Sequence, residues 1–156
     1  MTSRFNIKTI SRLAAVQTLY QYSNVQKEIN YAILAEQMLK LYDDNTFNYI
    51  LSSNNKIKLN KTYYKDLVKY SVDNIEYVND IIIKNLDSEN KELTNLSNAI
   101  LLVAICELLY FLSVPQKVVI NEYTNIASTM LNHKEVNFIN SILDTIAQNA
   151  RTESSK

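Results

Sequence analysis

Arg4, Lys8 and Arg12 recur every four residues in a segment that contains no carboxylate. If a helix runs back through them, the three cations share one stripe, a spacing suited to successive phosphates of a nucleic-acid backbone. Ser3, Thr9 and Ser11 offer neutral hydrogen bonds to the same strand. The first acidic residue is Glu28, so residues 1–27 carry +4 from Arg4, Lys8, Arg12 and Lys27. The remainder carries −4, because the chain is neutral overall. A locally basic segment on a slightly acidic body attracts polyanions without making the whole surface adhesive. Taken alone, however, three basic residues over nine positions favour nothing more than a solvated helix end.

Other chemistry is sparse. With one histidine, His133, and one cysteine, Cys106, most nucleophile-plus-base arrangements cannot be assembled, and neither a disulfide nor a cysteine cluster for zinc is available. His133 stands beside Lys134 in a polar turn and reads as a surface residue, while Cys106 lies in an apolar run and reads as a small buried hydrophobe. The chain has no glycine, which excludes a glycine-rich phosphate loop. The expectation is a protein with no catalytic residues, no metal site and no cofactor. Eleven tyrosines and four phenylalanines supply the aromatic surface that single-stranded nucleic acid stacks on, yet most of the tyrosines fall at helical core spacing. Phe138 differs. It lies one residue, about 100°, from Ile139 at the edge of an apolar face, where capping the core, stacking on a base and touching a partner protein are all open, the first favoured by spacing.

Two further groups stand out near the C-terminus. In V-P-Q-K-V-V-I-N-E-Y, residues 114–123, Asn121 and Glu122 interrupt an apolar run and are expected to fix the packing of neighbouring helices. Lys117, one turn earlier, is expected to be exposed near the positive end of a helix, where its charge suits a site that attracts phosphate. Asn140 and Asp144 punctuate the last amphipathic stretch in the same manner as Asn121 and Glu122.

The elements that must position these residues are helical. Apolar periodicity predicts helices over residues 9–22, 30–42, 62–86, 96–112, 115–131 and 134–150. Residues 43–60 mix Asn and Ser with short apolar pieces and read as an extended connection with one short helical turn at 47–51. The fold class is therefore all-α, about six to seven helices in a single domain over 1–150, with 151–156 a frayed tail. The apolar run at 99–112 is interrupted by Glu107 and is too short for a bilayer, and no signal peptide is visible. A cytoplasmic protein is expected.

The stretch 114–146, with Pro115 opening one helix, Ile120-Asn121-Glu122 within it, and Phe138-Ile139-Asn140 and Leu143-Asp144 on the next, resembles the C-terminal signature of the NusB family of transcription antitermination factors. Ser11–Tyr22, S-R-L-A-A-V-Q-T-L-Y-Q-Y, is similar to the family's first helix, Tyr63-Tyr64-Lys65-Asp66-Leu67 to the start of its third, and Ala99–Leu109 to the helix preceding the signature. The resemblance implies a compact fold of two packed small helical bundles. It implies binding of single-stranded boxA-like RNA of ribosomal RNA operons together with NusE, a small-subunit ribosomal protein, within the RNA polymerase antitermination complex. It implies that the basic first helix touches RNA with help from Lys117 and Phe138, and that the partner docks on the C-terminal helices. Whether the chain forms a homodimer stays open.

Several positions depart from the family pattern. Thr9-Ile10-Ser11 stand in what is usually an arginine cluster, Leu102 replaces a usual arginine, Tyr70 a usual glycine, and no glycine marks the loop at 131–133. Residues 43–60 exceed the family norm. These departures imply an intact fold with weaker RNA affinity. They leave room for an alternative, a protein-interaction module of the same fold with weak or lost RNA binding. The fold also occurs as the N-terminal module of an RNA methyltransferase, but these 156 residues hold no catalytic domain.

Overall fold

The computed structural model describes residues 6–25, 30–43, 58–86 and 93–154; the side chains of 43 and 150–154 fall outside that description. Among the described residues there are seven helices and no strand: α1 Ile7–Asn24, α2 Tyr31–Asp43, α3 Lys61–Asp73, α4 Ile75–Lys84, α5 Asn95–Tyr110, α6 Gln116–Ser128 and α7 His133–Ser154. The chain divides into two compact units, Met1–Lys69 and Tyr70–Lys156. The all-α expectation holds.

In the first unit, Asn6 caps α1 by accepting hydrogen bonds from the Thr9 amide and hydroxyl at 2.8 and 3.0 Å. Ala14, Ala15, Val16 and Leu19 bury one face of α1, which packs on α2 through Leu34, Ala35, Met38 and Leu39. Buried hydroxyls tie the unit together. Thr18 Oγ1 donates to the Ala14 carbonyl at 2.8 Å and lies 2.6 Å from the Tyr64 hydroxyl. The Tyr64 hydroxyl also donates to the Ala35 carbonyl at 3.3 Å, linking α3 to α2. Asn30 starts α2, its side-chain oxygen accepting from the Ala32 amide.

In the second unit α5 is the central element. Thr94 caps it, accepting from the Ser97 amide at 3.1 Å, and every residue from Ala99 to Leu108 is buried. A helix apolar all round belongs in the middle of a bundle, and α4, α6 and α7 pack against it. Pro115 caps α6 with extended backbone, its carbonyl accepting from the Val118 and Val119 amides. The turn before α7 needs no glycine. Thr129, Met130 and Leu131 bond back to Ile126 and Ala127, and Asn132 caps α7 by accepting from the Glu135 amide at 2.9 Å. Ile139, Ile142, Leu143, Ile146 and Ala147 form its buried face, as their spacing predicts.

Two element boundaries depart clearly from expectation. The single helix expected over 62–86 breaks at Asn74 (φ −119°, ψ 18°), whose side-chain amide donates to the Tyr70 carbonyl at 2.8 Å. An Asn side chain that bonds its own backbone competes with the helical ladder. Helix α7 continues to Ser154, beyond the expected end at 150. The connection expected over 43–60 lies almost wholly outside the described residues, because 44–57 are not among them. Among the described residues no helix is long and apolar enough to cross a membrane.

Candidate nucleic-acid interface

On α1, Lys8 and Arg12 do share a stripe, and both lie over one aromatic ring. Lys8 Nζ sits 5.3 Å from the centroid of Tyr63 and Arg12 Cζ 5.6 Å, distances of cation–π contact. Their exposures differ. Lys8 is exposed, whereas Arg12 is 2 % exposed, with Nη2 donating to the Tyr63 hydroxyl at 3.4 Å. The expectation that both face solvent is corrected. One turn beyond Lys8 the stripe passes beneath α3, and a guanidinium, planar and weakly hydrated, tolerates stacking inside better than an ammonium does. Thr9 and Ser11 are also buried, so neither reaches a strand outside. Ser11 accepts from the Asn60 amide at 2.8 Å and donates to the Ile7 carbonyl at 2.8 Å. Arg4 and Ser3 lie outside the described residues. Among the described residues of this stripe, Lys8 is the cation that faces solvent.

In the second unit Lys117 is exposed in the first turn of α6. Phe138 is half-buried on α7 and lines an open groove of about 360 Å³. Lys134, Asn137, Ser141 and Thr145 form one side of the groove, with Asn85 opposite and Ile142 beneath. An aromatic face, an ammonium, two amides and two hydroxyls are the groups that engage a base, a phosphate and a ribose.

The residues expected to fix packing behave unequally. Asn121 is exposed and Glu122 half-buried, because Val119, Tyr123, Ile126 and Ala127 take the inward face of α6 and leave 121 and 122 to its side. Asn121 is therefore corrected from an interior to a surface position. Asn140 accepts from Thr124 Oγ1 at 3.3 Å, joining α7 to α6 at the surface, and Asp144 is exposed. The buried polar contact that does fix packing is Glu107, fully buried, accepting from the Tyr123 hydroxyl at 2.8 Å between α5 and α6. Its signal was present in the sequence: a lone carboxylate in an apolar run must be paired. Tyr63 gave no such signal, since only the approach of α3 to α1 shows what its ring does.

Burial drives the titration of the interior groups. The Tyr64 hydroxyl is pushed up to about 12 and the Cys106 thiol to about 12, each by loss of solvent around the charged form. Cys106 is fully buried and His133 exposed, as expected. Among the described residues no cluster of three or more His, Cys, Asp or Glu side chains is arranged to hold a metal ion.

Residues 9–148 match the model of the NusB family. The chain belongs to the NusB family. It is 42% identical over 149 residues to the transcription antitermination protein NusB of Rickettsia felis, covering 94% of this chain and 95% of that protein. Its fold is that of T. maritima NusB (TM-score 0.72, 24% identity, 96% of each chain covered). The fold is likewise that of the NusB chain in a crystal structure of antitermination factors NusB and NusE with double-stranded RNA (TM-score 0.69, 22% identity, 90% of this chain and 95% of that one). This family member thus keeps the helical fold of those structures. The Tyr63 stripe and the Phe138 groove are each built within one of its two units.

Proposed function

We infer that this NusB-family chain is a non-catalytic, RNA-binding transcription antitermination factor. It acts in the cytoplasm on boxA-type RNA of ribosomal RNA operons, together with a NusE-type ribosomal protein and RNA polymerase. The observation that carries this reading is the Phe138 groove: a half-buried aromatic edge beside an ammonium, amides and hydroxyls, with no carboxylate among its lining residues. A splayed-out base stacks or packs on the ring, while Lys134 in the groove and Lys117 elsewhere on the same unit offer charge to the backbone. Lys8 adds a phosphate contact on the first unit. Arg12 supports this reading indirectly, by fixing the Tyr63 ring under Lys8.

Titration of fluorescently labelled boxA RNA with the full chain, with and without the NusE-type protein, tests it. Binding that tightens with the partner is expected, and absence of binding in both cases at moderate salt would refute the RNA role. The alternative, a protein-interaction module without useful RNA affinity, predicts that Phe138→Ala and Lys8→Glu leave RNA retention by the complex unchanged.

A further inference from the structure

A second groove adjoins the first. It measures about 400 Å³ and is lined by Tyr77, Ile81, Lys84 and Asn85, with Leu109, Ile146 and Asn149 completing it. Asn85 lines both grooves. Ile142 and Thr145 in the first are followed one turn later on α7 by Ile146 and Asn149 in the second. The two therefore form one trough along α7, wholly within the second unit. Each half pairs an aromatic ring with an ammonium, Phe138 with Lys134 and Tyr77 with Lys84.

The charge pattern selects the occupant. No Asp or Glu lines either half, and among the described residues neither ammonium is engaged in an ion pair. The carboxylates of α4, Glu76 and Asp80, are not among the lining residues, although Asp80 precedes Lys84 by one turn. Tyr77 is 57 % exposed although its helix has a buried face available. Both volumes fall in the range of about 300–1,000 Å³ that holds small organic ligands. A purely apolar groove would suit a helix of a partner protein. This one alternates cation, ring and amide, the lining of a channel that follows a single strand.

We propose that the Tyr77–Lys84 groove is a second nucleotide subsite, in which RNA leaving the Phe138 groove continues past Asn85 and stacks a flanking base on Tyr77 with its phosphate at Lys84. The proposal rests on the RNA-binding reading above. The test compares the full chain with its Tyr77→Ala and Lys84→Glu variants, by fluorescence anisotropy, on a boxA RNA and on the same RNA extended by single-stranded nucleotides at both ends. Both side chains are exposed, so folding measured by circular dichroism should be unaffected. For the extended RNA, Tyr77→Ala is expected to weaken binding about fivefold or more. Lys84→Glu should lower the slope of log affinity against log salt by at least about 0.7. The core RNA should respond less than the extended one.

Unchanged affinity and slope for the extended RNA, with the wild-type chain binding it, overturn the second subsite and leave the first intact. Failure of the wild-type chain to bind either RNA overturns both readings together. Loss of NusE-type protein binding in the variants, with RNA affinity retained, also overturns the subsite and makes this face a protein contact.

Discussion

Tyr123 and Glu107 illustrate how a single phenol holds a carboxylate in the interior of the second unit. The hydroxyl donates at 2.8 Å to an oxygen that has no exposure. Tyr123→Phe keeps the ring and removes the donor, so it should lower the unfolding free energy by about 1–3 kcal/mol in urea denaturation. A loss below a few tenths would show that Glu107 is satisfied without it. Tyr64 and Cys106 make a pH prediction. Each is an acid whose neutral form the fold favours, since both are pushed up to about 12 from 10.0 and 9.0. The stabilisation is complete below the unfolded value and is lost as pH climbs toward the folded one, so stability should fall between roughly pH 9 and 12. Urea midpoints across that window should decline, and less steeply in Tyr64→Phe. A flat profile in the wild-type chain would contradict the burial of both groups. Cys106 should also resist thiol reagents at neutral pH until the chain is unfolded.

At the scale of elements, helix identity was legible because apolar residues recur at helical period, and α5 was legible as central because it is apolar on every side. Its cap is a testable part of that order. Thr94 accepts from the Ser97 amide, and Thr94→Ala should cost about 1 kcal/mol, lowering the urea midpoint without changing the slope of the transition. The break between α3 and α4 was not legible. Val72, Asp73, Ile75 and Glu76 continue a helical pattern across Asn74, and a lone asparagine in such a run carries no reliable stop. What ends α3 is a side-chain bond to Tyr70, reinforced when the Tyr110 hydroxyl donates to the Asn74 oxygen at 3.0 Å. The second of these comes from a helix 36 residues away.

For the whole molecule, a neutral total conceals a basic first segment, and electrostatics should make RNA binding depend on salt in proportion to the phosphates neutralised. Lys8 is the described cation of α1 that faces solvent. Lys8→Glu should therefore weaken boxA binding and flatten the salt dependence by about 0.7 of a log unit per log unit. Arg12→Lys should instead act mainly through stability, since its guanidinium is packed on Tyr63. Thermal unfolding and salt titrations of the two variants separate these effects. Equal changes in salt slope would mean that Arg12 also meets phosphate.

Residue order alone determined the class of fold, the central helix, the amphipathic last helix and the resemblance to NusB proteins, because these depend on periodicity and local motif. It also marked Lys8, Lys117 and Phe138, each of which sits at or near the surface. Tertiary packing decided which cation of the first helix is available and which polar residues are interior. Helical spacing fixes direction around an axis but not what another helix brings to that side. Tyr63 covers Arg12 and leaves Lys8 in solvent, and Asn85 joins α7 in lining grooves whose members, Phe138 apart, are unremarkable in sequence.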